Sequence, residues 1–472
     1  MINIILLITM IVLFVLVVIG SLYFLVYFQH EEDKNTAWFP KIVVILGLSL
    51  SCFNVLLLPM DVINRNTQGG LNIFIALEIF LMATAGFVLV IIPFSIFYYE
   101  NVDDGRHPIR RAIIWTFITF FIFALIIILL YLFVGKAEIE VTLLQGGTIP
   151  ETDPVQTTPC TLNCSRKYGF WDVKVSVVVY IIAILSFAGW LLFMLFGGIG
   201  IIAIPLDLIL GWVHRPRRIK LEQYARYKTD INRRASDLLL DARKIDESRR
   251  IGKGSKMKQR RKYNEFRKAV FFLEEDYKNL NLAYKEFGGS PVKHFLKLLL
   301  GIVSLVVSII WILHIILYML PKKPISLFMN NYLNSLDDAF SLFGAITYGI
   351  FSFYLLWAVV KGNVKFGFRI FFFSVHPMRI NGTIMSSLLF NTALILLSSI
   401  TVSQFCAMAF ADYARLTSFD MLYGVQVTNL QGFRVVWKVF TDILMGIIGL
   451  TLIILIIKPR DRSKNKILRF HK

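Results

Sequence analysis

Charge is what this sequence has least of where it counts. Only 17% of its 472 residues are charged, against 56% hydrophobic. Nine stretches of roughly 20 residues or more hold almost no charge, and about 20 residues is what a helix needs to cross a bilayer. A soluble fold is excluded by that alternation, because no globular domain interleaves so many charge-free runs with short polar loops. Catalytic signatures are also missing. The chain has no Walker loop, no HExxH, no GxSxG and no paired-carboxylate or metal cluster, and its seven histidines are dispersed. These absences argue against nucleotide-driven transport by this chain alone. They leave no catalytic residue, cofactor or metal ligand to name, so a non-enzymatic protein is expected. The first run lacks a basic n-region and exceeds the roughly 7–15 apolar residues of a signal peptide, so it reads as a retained helix.

The runs are Asn3–Phe28, Ile42–Pro59, Ile73–Tyr98, Ala112–Val134, Val175–Phe196, Phe295–Leu320, Phe340–Val360, Ile384–Phe410 and Val439–Ile457. They predict an all-α polytopic bundle of about nine transmembrane helices. With the N terminus outside the cytosol, the inside segments hold 39 Lys and Arg and the outside segments 10. The bias follows the positive-inside rule, although one long segment supplies much of it. The net charge of +19 is therefore read as cytosolic loops beside anionic lipid headgroups, not as a nucleic-acid surface. The expected organisation is an N-terminal five-span half (1–212), a cytosolic basic hairpin (213–293), a C-terminal four-span half (294–458) and a basic tail (459–472). Residues 199–212 are too few to cross alone and read as a kinked continuation or an interfacial segment. Leu58-Pro59-Met60-Asp61 and Ile204-Pro205-Leu206-Asp207 echo one another, as the proline-broken helices of transporters do.

The outside loop 135–174 holds Cys160 and Cys164 with the sequon Asn163-Cys164-Ser165 between them. Asn163 is a candidate glycosylation site on the lumenal side. The cysteines are either a disulfide tying a surface turn or two free thiols, and an oxidising compartment favours the bond. Cys52 and Cys406 lie within spans and read as packing residues. Ionisable residues inside spans are few. Glu78 and His314 are candidate cavity residues, and Lys438 and Asp442, one turn apart, are a candidate intramembrane ion pair. Asn391 and Gln404 read as interhelical hydrogen-bonding residues.

Between the halves the chain reads as two helices. Tyr224, Tyr227, Ile231, Ala235 and Leu238 mark one. The other carries a seam of Phe266, Val270, Leu273, Tyr277 and Leu280, spaced 4, 3, 4 and 3. Gly252-Lys253-Gly254-Ser255-Lys256 is the turn between them. An antiparallel coiled coil over Ile219–Phe287 follows, either closed on itself or open to a partner.

The blocks Leu342–Ile370 and His376–Arg415, with Leu58–Asn64, Pro93–Glu100 and Ile204–Ile209, resemble the limb-region-1 family of multi-pass membrane proteins. That family includes lipocalin-interacting membrane receptors and the lysosomal cobalamin-transport escort. The resemblance covers nearly the whole chain. It implies a helical bundle with an outside N terminus and a cytosolic C terminus, in the plasma or an endolysosomal membrane. It offers no catalytic motif. The function it implies is that of a receptor or transport-accessory protein. Such a protein has membrane lipids around it, a membrane transporter or cytosolic protein docked on the 213–293 hairpin, and a small hydrophobic or vitamin-sized ligand. A secondary transporter and a structural subunit of a larger assembly are the alternatives.

Overall fold

The computed structural model describes the chain except for residues 1–3, 31, 67–71, 103–107, 146–164, 214, 216–217, 251–255, 286–289, 341, 367, 371–372, 376–377, 379–381, 432 and 458–472. Cys160, Cys164 and Asn163 lie outside the described residues. The helices are α1 (Ile4–Phe28), α2 (Trp38–Asn66), α3 (Ile73–Gly86), α4 (Ile92–Val102), α5 (Pro108–Val134) and α6 (Val177–Val213). They continue with α7 (Leu221–Arg250), α8 (Lys256–Lys285), α9 (Pro291–His314), α10 (Phe328–Ala339), α11 (Phe343–Phe366), α12 (Met385–Ala409) and α13 (Phe433–Ile457). A π-helical turn, Phe87–Ile91, joins α3 to α4, another, Ile315–Met319, extends α9, and a third segment spans Asp420–Val427. Among the described residues, nine helical segments are long and apolar enough to cross a membrane. The protein is a polytopic, all-α integral membrane protein, with the spans in the order read from the sequence.

Two local features differ from that reading. Helix α6 runs 37 residues without a break, about 55 Å at 1.5 Å per residue. The stretch 199–212 is thus a direct continuation of the fifth span. Pro205 and Pro59 both sit inside continuous helices, and the helical irregularities fall at the π turns instead. The loop 135–174 is not irregular throughout. Strands β1 (Lys136–Gln145) and β2 (Ser165–Lys174) pair antiparallel from Lys136 opposite Lys174 to Gln145 opposite Ser165. Ala137, Ile139 and Val141 alternate with Glu138, Glu140 and Thr142, the period of a half-buried strand. Short strands β3 (Phe368–Ile370) and β4 (Phe373–Val375) make a second pair.

The chain forms two compact units. One is Met1–Ala203 with Ile310–Gly449, and the other is Ile204–Ile309 with Leu450–Lys472. In the first, α2 and α12 are largely buried, whereas the apolar stretch of α5 has no buried residue. Helix α5 therefore presents its apolar side chains to lipid, and α12 is the axis around which the unit packs. Close approach of α6 to α11 depends on two glycines. A Cβ at Gly200 would strike the Ala358 carbonyl, and one at Gly362 would strike that of Phe196. Small residues let backbones meet in the absence of a hydrophobic drive between helices.

The second unit contains α7 and α8, packed antiparallel. Tyr224 at the start of α7 stacks on Tyr284 at the end of α8, 4.2 Å between ring centroids. Ile231 and Leu280 form the buried centre, with Ile219, Tyr224, Tyr227 and Leu273 against it. The observed face includes Asp276, 1% exposed, and Ala283, while Tyr277 is 48% exposed. Phe266 and Val270 are half-buried. The packing face is thus rotated from the heptad seam by about one residue at Tyr277. An α-helix has 3.6 residues per turn and drifts off a 3.5-residue repeat unless it supercoils.

Candidate functional site

The polar groups of the first unit fall into two layers inside the bundle and one network at its end. In the first layer, Asn54 Nδ2 on α2 donates to Thr84 Oγ1 on α3 (2.9 Å) and to Ser399 Oγ on α12 (3.0 Å). Ser403 Oγ, one turn along α12, donates to the Asn54 carbonyl at 2.8 Å. In the second layer, Gln404 Oε1 accepts from Trp190 Nε1 on α6 at 2.9 Å and from Ser186 Oγ. Thr401 Oγ1 donates to the Ser186 carbonyl at 2.9 Å. All these side chains are buried. Gln404 acts across helices as its sequence position suggested, while Asn391 Nδ2 donates within α12 to the Ser387 carbonyl.

The end network gathers α2, α10, α11 and the segment after α12. Asp337 is its hub. Its carboxylate accepts from Tyr413 Oη (2.7 Å), the Gly344 amide (2.9 Å) and Asn66 Nδ2 (3.3 Å), capping the start of α11. The Arg65 guanidinium donates to the carbonyls of Tyr413 and Arg415. Asp61 is buried and accepts from the Phe419 amide at 3.0 Å, at the start of the Asp420–Val427 segment. Asn330 accepts from the Tyr413 amide at 3.1 Å. Burial and the Asp337 charge push the Tyr413 phenol above its ordinary range. Strand β1 closes the same end, because the Glu138 amide donates to the Asn429 carbonyl (2.8 Å) and the Gln431 amide to the Lys136 carbonyl (2.9 Å).

At the opposite end a buried carboxylate ties three helices together. Asp33, between α1 and α2, accepts from Tyr99 Oη at 2.8 Å and from the Met385 amide at 3.1 Å, capping α12. His30 and Phe28 pair with Thr383 through the backbone. Residues from the four segments 60–72, 135–174, 321–338 and 411–438 thus bond to one another at the first end, while Asp33 and Tyr99 bond at the second.

The residues singled out from the sequence do not converge. His314 is 1% exposed, with Nε2 donating to the Ala409 carbonyl at 2.8 Å. Its ring lies between Tyr318 and Phe410, each 5.1 Å away centroid to centroid. Glu78 is half-buried on α3. Lys438 and Asp442 are both exposed on α13, and no ion pair joins them. Among the described residues no group of three or more His, Cys, Asp and Glu could hold a metal. Asp61, Asp337 and Tyr413 were missed. Their signal, aspartates and a tyrosine at span ends, is indistinguishable in sequence from ordinary loop polarity.

The family model of LMBR1-like membrane proteins matches residues 6–286 and 272–453. A LIMR family protein of Dictyostelium discoideum is 39% identical over 502 residues, covering 98% of this chain and 99% of its own. LIMR family proteins of Arabidopsis thaliana and Oryza sativa subsp. japonica are 35% and 33% identical, each over 92% of both chains. No solved structure matches.

Proposed function

The chain belongs to the LMBR1-like membrane protein family, and on that premise we propose that it is a non-enzymatic membrane receptor or transport-accessory protein. The observation that supports this reading is the set of hydrogen bonds that tie the inner helices to one another, through Asn54, Thr84, Ser399 and Ser403 and through Ser186, Trp190 and Gln404. Helices that close around such bonds, with backbones touching at Gly200 and Gly362, suit a fixed scaffold better than a rocking carrier. Binding then falls to the surfaces outside the bundle. The α7–α8 arm offers a basic tip and, away from the exposed Leu221 at its root, two adjacent exposed leucines, Leu239 (66%) and Leu240 (53%). A cytosolic arm of this kind suits a protein partner, and its lysines and arginines suit anionic lipid.

In this reading the Asp337 end faces the lumen or exterior, with Asn163 glycosylated and Cys160–Cys164 bridged, and the arm faces the cytosol. Asn163→Gln should remove a glycan-dependent mobility shift, and cytosolic protease reaching loop 135–174 in sealed vesicles would reverse the orientation. The functional test is affinity capture with the full chain and with residues 251–262 deleted. Loss of a specific co-purifying membrane transporter or cytosolic protein on deletion, with the bundle folded, supports the proposal. The same partners recovered from both chains would remove the arm from it.

A further inference from the structure

Helix α13 buries one face and leaves its charges on the other. Trp437, Phe440, Leu444 and Ile448, at steps of three, four and four, are buried. Lys438, Asp442, Gly446 and Gly449, at steps of four, four and three, share a different face, and all four are exposed. Val439 (45%) and Ile443 (43%) border it. The outward side of a transmembrane helix meets lipid. The apolar stretch runs Val436–Leu455, so Lys438 lies about 3 Å and Asp442 about 9 Å inside it at 1.5 Å per residue. A lysine at that depth extends its ammonium to the headgroups. Aspartate is too short to do so, and a carboxylate there is costly unless it is paired. Its own helix is a poor source of the counter-charge. No ion pair joins Asp442 to Lys438, and Lys before Asp is the weaker order for an i,i+4 pair.

The two glycines are a separate observation on the same face. Where α6 meets α11, glycine is what lets the backbones touch, at Gly200 and Gly362. At Gly446 and Gly449 an added Cβ would meet nothing within 4 Å. Glycine weakens a helix relative to alanine, and nothing in this chain uses the room that these two leave.

We propose that this face of α13 is the interface between two copies of the chain in the membrane. Copies inserted with the same topology bring their α13 helices together in parallel, about a two-fold axis along the membrane normal. Such an interface is self-complementary, each residue i contacting j of the other copy and j contacting i. Lys438 and Asp442 suit that symmetry. Lys438 of each copy neutralises Asp442 of the other, and the four charges sum to zero. One turn deeper, Gly446 and Gly449 let the two backbones close. An acyl chain of a lipid could fill the glycine notch, but it brings no cation to Asp442.

The full chain carrying Gly446→Cys, reconstituted at low protein-to-lipid ratio and oxidised, should give a dimer band absent from the unsubstituted chain. Single-molecule photobleaching then reads the dimer fraction of further variants. Gly446→Leu and Gly449→Leu should each weaken dimerisation about tenfold at unchanged Tm, because leucine has room in the single copy. Lys438→Asp and Asp442→Lys should each weaken it as well, by setting like charges together. Mixing these two variants under different tags should restore pairing between them, which no role confined to one copy would produce. A chain that is monomeric at every density overturns the proposal. So does a dimer that neither cross-links through Gly446→Cys nor responds to the charge variants, since its contact lies elsewhere. A Gly446→Cys cross-link in native membranes to a chain of another mass overturns the second copy as occupant, in favour of a different protein's helix.

Discussion

Along α12 nearly every side chain is covered, whereas among the described residues of α7 and α8 the covered face is short and lies at the root of the arm. The two regions also spend their polar residues differently. In the bundle, serine, threonine, asparagine and glutamine turn inward and bond across helices. In the arm, charge turns outward except at the buried Asp276, and the apolar interior is Ile231, Leu280 and a few neighbours. The contrast teaches that in lipid, where apolar surface gains little by burial, hydrogen bonds and backbone contact hold helices together. In water the arm relies on ordinary apolar burial. The bundle is therefore the fixed part, and the arm is the part with surface to give.

Breaking the bundle should have the largest effect. Gly200→Leu drives a side chain into the Ala358 carbonyl, and overpacking of this kind costs about 3 kcal/mol or more when backbone stands in the way. The expected outcome is loss of the monodisperse peak in size-exclusion chromatography. Asp337→Ala comes next. It uncaps α11 and leaves the Tyr413 hydroxyl unpaired, at about 2–3 kcal/mol together. A lower Tm should show this, with Asp337→Asn milder. Leu280→Asp puts a charge into the centre of the arm. Limited proteolysis should then cut between α7 and α8 while the Tm of the bundle holds, which separates the two regions. The smallest effect on the fold belongs to Leu239→Ser with Leu240→Ser, within about 0.5 kcal/mol for exposed sites. Its expected consequence is weaker partner capture at unchanged stability.

The order and number of spans were legible because charge-free length is a direct physical demand of the bilayer. The Lys and Arg bias carries an expected orientation, whereas the fold itself shows that Arg65, Asp337 and Tyr413 cluster at one end. The strands β1 and β2 were overlooked although Ala137 to Thr142 alternate, because a membrane reading looks for long apolar runs. The end network was not legible. Asp61 and Asp337 stand 276 positions apart and meet a common neighbour region only through the fold. A strict 3-4 repeat puts Tyr277 in the seam, and a helix of 3.6 residues per turn drifts off that repeat.

Whether this chain binds or carries is decided by purified protein in proteoliposomes. On solid-supported membranes, with inward sodium or proton gradients and a panel of amphipathic solutes, a binding protein gives no current above protein-free vesicles and no ATP hydrolysis. Ion-coupled transport by the purified chain, abolished by Glu78→Gln, would contradict it and make the protein a secondary transporter.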